Sequence, residues 1–171
     1  MQLYNKLSAK EREALLEEAG EDRLTLSFYA YANIGNPELF RNHLFIAWDQ
    51  MDVLGRIYVA KEGINAQLSV PAKRFNEFKA FIDNIYFLEN VRLNIAIEHD
   101  IKSFLKLKVK VRKKIVADGL NDDSFDVTNK GVHVDAARFN ELISDPNTVL
   151  VDMRNHYESE IGHFQGAITP D

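Results

Sequence analysis

The sequence predicts an α+β fold in two parts: an antiparallel sheet covered by helices on one face, then the beginning of an α/β domain. Three observations predict it. Between Leu24 and Glu98, segments of period two alternate with segments of helical period in the order strand, helix, strand, strand, helix, strand. A polar, Asp-rich stretch with two glycines, Val116–Gly131, then interrupts the pattern. Beyond it come a helix, a short apolar run and a second helical stretch, which is how a parallel-sheet domain opens.

In chain order, Ser8 and Glu11 fit a capping box, in which the hydroxyl accepts one free amide and the carboxylate accepts the cap's own N–H. Gly20 is placed to end that helix, which is mostly polar and is expected to pack loosely as an appendage. From Leu24 the residues Leu24, Leu26, Phe28 and Ala30 point one way, while Thr25, Ser27, Tyr29 and Tyr31 point the other: a half-buried strand. Pro37 suits the first turn of a helix running to about Gln50. Arg56–Ala60 and Ile64–Val70 read as strands joined by Lys61-Glu62-Gly63, with glycine free to take positive φ. Pro71 opens a second helix on which Phe75, Phe78, Ile82 and Ile85 recur, and Val91–Glu98 and Phe104–Val111 read as further strands. The order up to Glu98 is the ferredoxin-like βαββαβ arrangement, with the fifth strand extending the sheet or crossing to the second part of the chain. After the linker, Asp135 caps a helix through Ile143, a turn at Pro146 leads to a short buried strand, Thr148–Val151, and a helical stretch carries Glu158 and Ile161.

Composition removes several classes of function. A hydrophobic content of 46% with 27% charged residues belongs to a globular chain rather than a disordered one. No apolar run approaches the roughly 20 residues of a membrane helix, and the N-terminus has no signal core, so a cytoplasmic location and no membrane partner are expected. The absence of cysteine excludes disulfides, thiolate metal sites and a thiol nucleophile in this chain. No pair of histidines has a convincing ligand spacing, so no metal and no cofactor are expected, and oligomeric state is not encoded legibly. A net charge of −5 argues against binding nucleic acid over the whole surface, yet Ile101–Lys114 holds seven of the 21 basic residues and no acid.

Within that strip Lys106, Lys108, Lys110 and Arg112 alternate with Leu105, Leu107, Val109 and Val111. The result is a positive ladder with steps of about 7 Å, comparable with the phosphate spacing of an RNA strand. A charged edge strand that discourages sheet-to-sheet pairing gives the same pattern. Tyr29 and Tyr31, with Tyr58, stand where bases would stack on an open sheet face, though ordinary sheet-face tyrosines read the same way and Ile64–Val70 lacks the aromatics of an RNA recognition motif. In the turn KEGINAQ, Glu62 and Asn65 are candidates to orient a substrate or to hold the hairpin. In VLVDMRNHYESEIGHF, Asp152 sits at the carboxyl end of the predicted parallel strand, where ligands gather, but with Arg154 and Glu158 it reads more readily as a structural ion-pair and capping set. His163 reads as a hydrogen-bonded packing residue.

Asp152-x-Arg154 with Glu158, Gly162-His163 and Gly166-Ala167 resembles the opening motif of rhodanese domains. Together with GRIYVAKEGINAQLSVP and LKVKVRKKIVADG, the stretch is similar to one subgroup, the bacterial tRNA uridine hydroxylase family, over roughly Leu24 to Asp171. The resemblance implies a ferredoxin-like domain followed by a rhodanese-like domain, tRNA as partner, and hydroxylation of the wobble uridine at C5 with molecular oxygen as co-substrate. It divides the chain into a helical appendage (1–22), the ferredoxin-like domain (23–115), a linker (116–131) and the start of a truncated rhodanese-like domain (132–171). It also implies a reactive cysteine on a loop beyond Asp171, so no catalytic residue is expected within this chain. Asp152, Arg154, Glu158 and His163 would then frame one wall of the site, and the chain alone is expected to be inactive. A rhodanese-type sulfurtransferase fragment and a non-catalytic RNA-binding module are the alternatives; hydrolysis by analogy with acylphosphatases has only Gly35 in the Ala30–Asn36 loop to offer.

Overall fold

The computed structural model describes residues 3–19, 22–97, 104–115, 126, 129 and 131–170, which fall into two units, Met1–Asn129 and Lys130–Asp171. In the first unit the elements are α1 (Ala9–Ala19), β1 (Arg23–Tyr31), α2 (Pro37–Gln50), β2 (Leu54–Ala60), β3 (Gly63–Pro71), α3 (Phe75–Asp83), β4 (Asn94–Ile95) and β5 (Leu107–Val111). The sheet order is β4-β1-β3-β2-β5, antiparallel except for the parallel β2–β5 pair. Its first four strands have the split βαβ connectivity, and β5 extends the sheet beyond β2.

Alternation decides which face is buried. Phe28, Ala66, Ile57 and Val109 lie side by side across four strands, and all are within the core. Leu44, Phe45 and Trp48 of α2 and Phe78 and Ile82 of α3 join the same core, with the rings of Trp48 and Phe78 5.7 Å apart. Asn36 caps α2 by accepting the Leu39 N–H at 3.0 Å, one residue before the proline that the sequence marks as its start. Gly63 (φ +146°) is needed where it stands, because a Cβ there would lie 2.1 Å from the Ala30 carbonyl oxygen.

Four expectations are corrected in this unit. The N-terminal segment is not a loose appendage: Leu16 is buried, and the Asn5 amide brackets Leu107, accepting its N–H and donating to its carbonyl, each at 2.9 Å. Pro71 closes β3 rather than opening a helix; a 3₁₀ turn, Ala72–Arg74, precedes α3, and Ile85 lies past its end. Among the described residues, the run expected as the strand Val91–Glu98 is a strand at Asn94–Ile95 alone, paired with β1, and Ile95 and Ile97 are exposed. The strand expected from Phe104 begins at Leu107. Glu98, Gly20 and all of the expected linker except Asp126, Asn129 and Gly131 lie outside the described residues. No helix among the described residues is long and apolar enough to cross a membrane.

The second unit holds α4 (Ala136–Ile143) and α5 (His156–Ile161). Asp135 caps α4 as expected, accepting the Arg138 N–H at 2.8 Å. Phe139 packs on Phe164 with ring centroids 4.9 Å apart. The predicted buried strand Thr148–Val151 is instead a single parallel bridge, Val151 to Ile168, and Val149 is 70% exposed. A parallel strand is buried by neighbours on both edges and layers on both faces, which the described residues of this unit do not supply.

Candidate functional site

The face of the sheet turned away from the core carries the polar half of each strand's alternation. Register places Tyr29, Asn65, Tyr58 and Lys110 in one row across β1, β3, β2 and β5, and Ser27, Gln67, Arg56 and Lys108 in the next. Tyr29 is 57% exposed and meets Tyr31 edge to face at 6.3 Å. The Arg112 guanidinium lies over the Tyr58 ring, 5.3 Å from its centroid, a cation–π contact of about 1 kcal/mol. Among the described residues, Arg56, Lys106, Lys108 and Lys110 have no carboxylate partner. Arg56, Lys106 and Lys108 also line a cavity of about 370 Å³ with Phe104, Leu105 and Ala9.

The outer edge of β5 bears on the two readings of this ladder. Asn5 engages both backbone groups of Leu107, and Arg41 of α2 donates to the Val109 carbonyl at 2.9 Å. That edge is already closed by side chains, so the lysines are not needed to keep another strand away. They project from the face, not the edge.

Glu62 and Asn65 act together on one distant residue. The Glu62 carboxylate accepts the Ile115 N–H at 2.8 Å, and the Asn65 amide donates to the Ile115 carbonyl at 3.3 Å. Ile115 is buried. This clamp fixes the end of the basic turn Arg112–Lys114, with one hydrogen bond from each side chain.

In the second unit the predicted residues do come together. Arg154 holds the Asp152 carboxylate with Nε and Nη2, at 3.0 and 2.6 Å, and Nη2 also donates to the Gly162 carbonyl at 2.6 Å. Hydrogen bonds from the Arg154 side chain and backbone N–H, reinforced by its charge, hold the Asp152 pKa at about 2 and raise that of Arg154. Glu158 completes a capping box by accepting the Asn155 N–H at 3.2 Å. His163 Nδ1 lies 2.9 Å from the Ser159 carbonyl oxygen. Asp152 and Arg154 border a cavity of about 260 Å³ with Met153, Asn155, His156 and Pro170.

Sequence reasoning missed Arg56, Gln67 and the Asn5 and Ile115 anchors. Arg56 and Gln67 were legible as outward residues of their strands; only register reveals that they face each other beside Lys108.

The model of the UPF0176 acylphosphatase-like domain family matches residues 23–115. A tRNA uridine(34) hydroxylase of Leptospira interrogans is 51% identical over 168 residues, covering 98% of this chain and 45% of that protein. Proteins of the same name from Hamiltonella defensa and Yersinia pestis are 48% and 50% identical over 97% of this chain and 47% of their own length. The chain thus spans a little under half the length of these relatives.

Proposed function

The chain belongs to the UPF0176 acylphosphatase-like domain family, and from that premise we propose that it forms the tRNA-binding part of an enzyme that hydroxylates the wobble uridine at C5. The observation that carries this reading is the open sheet face, where Arg56, Lys108 and Lys110 stand without carboxylate partners among the described residues, in register with Tyr29 and Tyr58. Cations at strand spacing replace the counterions of an RNA backbone, and exposed tyrosines offer stacking surfaces to unpaired bases. On a chain with a net charge of −5, a local basic face orients a polyanion without binding it everywhere. The activity for which the relatives are named supports tRNA as the substrate class and favours a hydroxylase over the sulfurtransferase alternative.

The second unit, in this proposal, opens a rhodanese-like domain. Asp152, Arg154, Glu158 and His163 hold the loop that walls the reaction site, and a cysteine supplied from outside residues 1–171 provides the reactive thiol, since this sequence has none. Molecular oxygen is the proposed co-substrate, and the cytoplasm, where tRNA is modified, the proposed compartment.

Titration of a labelled anticodon stem-loop at two salt concentrations tests the binding face. Lys108→Glu with Lys110→Glu should weaken binding and reduce the slope of log K against log salt by about 1.4, two single-stranded phosphate contacts' worth. Identical isotherms for variant and wild type at both salt concentrations would exclude it. Joining this chain to the remaining half of the Leptospira relative tests the activity: hydroxylated uridine should appear in tRNA in air and not under argon.

A further inference from the structure

The positive ladder divides into two parts. Towards Val111, Lys110 is the register partner of Tyr58, whose ring the Arg112 guanidinium covers. At the opposite end, Arg56 of β2 is the register partner of Lys108, and Lys106 stands just before β5. Paired strands lie about 4.8 Å apart and alternate residues of one strand about 7 Å apart. Arg56, Lys106 and Lys108 therefore converge, and all three line one cavity of about 370 Å³. Among the described residues none of them has a carboxylate or hydrogen-bond partner for its side chain. Ala9, at the start of α1, also borders the cavity, and the Glu11 carboxylate of that first turn accepts the Ser8 N–H at 2.7 Å. Phe104 and Leu105 give the cavity an apolar wall, and its volume is that of a small-molecule site.

We propose that this cavity holds the terminal phosphate of a nucleotide, with the phosphate oxygens on Arg56, Lys106 and Lys108 and the attached nucleoside against Phe104 and Leu105. Charge decides for a phosphomonoester. A diester within a strand carries one negative charge, whereas a monoester carries about −1.5 to −2 near neutral pH. Three cations around one hollow match the monoester; cations spaced along a ladder match successive diesters. Oxygen count points the same way, because a monoester offers three free oxygens and a diester two. The Arg56 fork takes two of them at once and the lysines reach the third. The site goes beyond the RNA-binding reading of the face, which needs only diester charge along the strands. The terminal phosphate belongs to the end of an RNA strand or to a free nucleotide, and both present the same group.

Calorimetric titration with four probes tests the proposal: one RNA pentamer with a 5′-phosphate, the same pentamer with a 5′-hydroxyl, adenosine 5′-monophosphate and adenosine. Wild type should bind the phosphorylated pentamer about tenfold more tightly than the hydroxyl form, the worth of one charge-assisted hydrogen bond. Arg56→Gln should bring that ratio close to one. Lys110→Gln, outside the cavity, should weaken both pentamers together and leave the ratio alone. Trp48 emission, from a residue fully buried in the core, verifies that each variant is folded. Binding of adenosine 5′-monophosphate but not adenosine assigns the cavity to a free nucleotide; a pentamer preference without it assigns the cavity to an RNA end. Equal affinity for the two pentamers with no binding of the mononucleotide, or a preference that survives Arg56→Gln, overturns the phosphate site while leaving RNA binding intact. Binding of the mononucleotide with neither pentamer bound keeps the site and overturns the RNA-binding reading. Failure to bind any of the four overturns both.

Discussion

Charged side chains meet opposite fates in the two units. On the open sheet face, Arg56, Lys106, Lys108 and Lys110 have no carboxylate partner among the described residues, while the strands beneath them are fixed by a continuous core. In the Lys130–Asp171 unit, Asp152, Arg154, Glu158 and His163 all bond to one another or to nearby backbone. A rigid support lets charge stand unpaired and available; a short loop without such support is held by its own charges. A charge cluster that looks like a site in sequence is therefore a weaker indicator than a row of cations whose backbone is held by something else.

The sharpest way to break this comparison is to place one methyl group in each unit. At Gly63 a Cβ would meet the Ala30 carbonyl oxygen at 2.1 Å, backbone that cannot move without parting β1 from β3. At Gly162, whose φ of 167° is ordinary extended backbone, nothing lies within 4 Å. Gly63→Ala should cost about 3 kcal/mol or more, read as a lower urea midpoint in Trp48 fluorescence. Gly162→Ala should stay within about 0.5 kcal/mol, read by amide hydrogen exchange within Lys130–Asp171, since Trp48 lies in the other unit. Equal losses for the two variants would remove the distinction between a supported and an unsupported unit.

The clamp gives a smaller effect and a finer test. Glu62 and Asn65 hold opposite sides of one residue, Ile115, 53 and 50 positions away. Glu62→Ala and Asn65→Ala should each cost about 1 kcal/mol. Once either bond is lost Ile115 is free to move, so the double variant should cost less than the sum by at least about 0.5 kcal/mol. Strict additivity in the double-mutant cycle would mean that the two side chains do not share Ile115 as a common anchor.

These effects mark how far the sequence was legible. Period-two alternation at Leu24–Tyr31 and Leu107–Val111 correctly separated core residues from face residues, because the pleat alone assigns sides. The Ser8–Glu11 and Asp135 caps were readable for the same reason: both partners lie within three residues. Register was not readable, so Arg56 and Gln67 were not placed beside Lys108, and the Ile115 clamp, spanning about fifty residues, left no local signal. Where strand formation depends on neighbours, as at Asn94–Ile95 and Val151, the apolar pattern overstated the strand. The candidate site was legible as residue types and not as an arrangement.

The smallest effect belongs to the second unit and concerns protons. Asp152 is held at a pKa of about 2 by Arg154, against about 3.9 in an unfolded chain. Because the folded value is the lower one, the unfolded state binds more protons between them, and stability rises with pH through that window. The contribution is complete above the unfolded pKa and is lost as the pH falls through about 2. A carbon-detected NMR titration of the Asp152 carboxyl should show a midpoint near 2, and the difference in melting temperature between wild type and Asp152→Asn should shrink as the pH is lowered from 5 towards 2. Near neutrality Asp152 adds no pH dependence, since it stays ionised. A midpoint near the unfolded value would mean that the Arg154 fork does not hold in solution, leaving Asp152 and Arg154 available to a ligand, as the face of the first unit is.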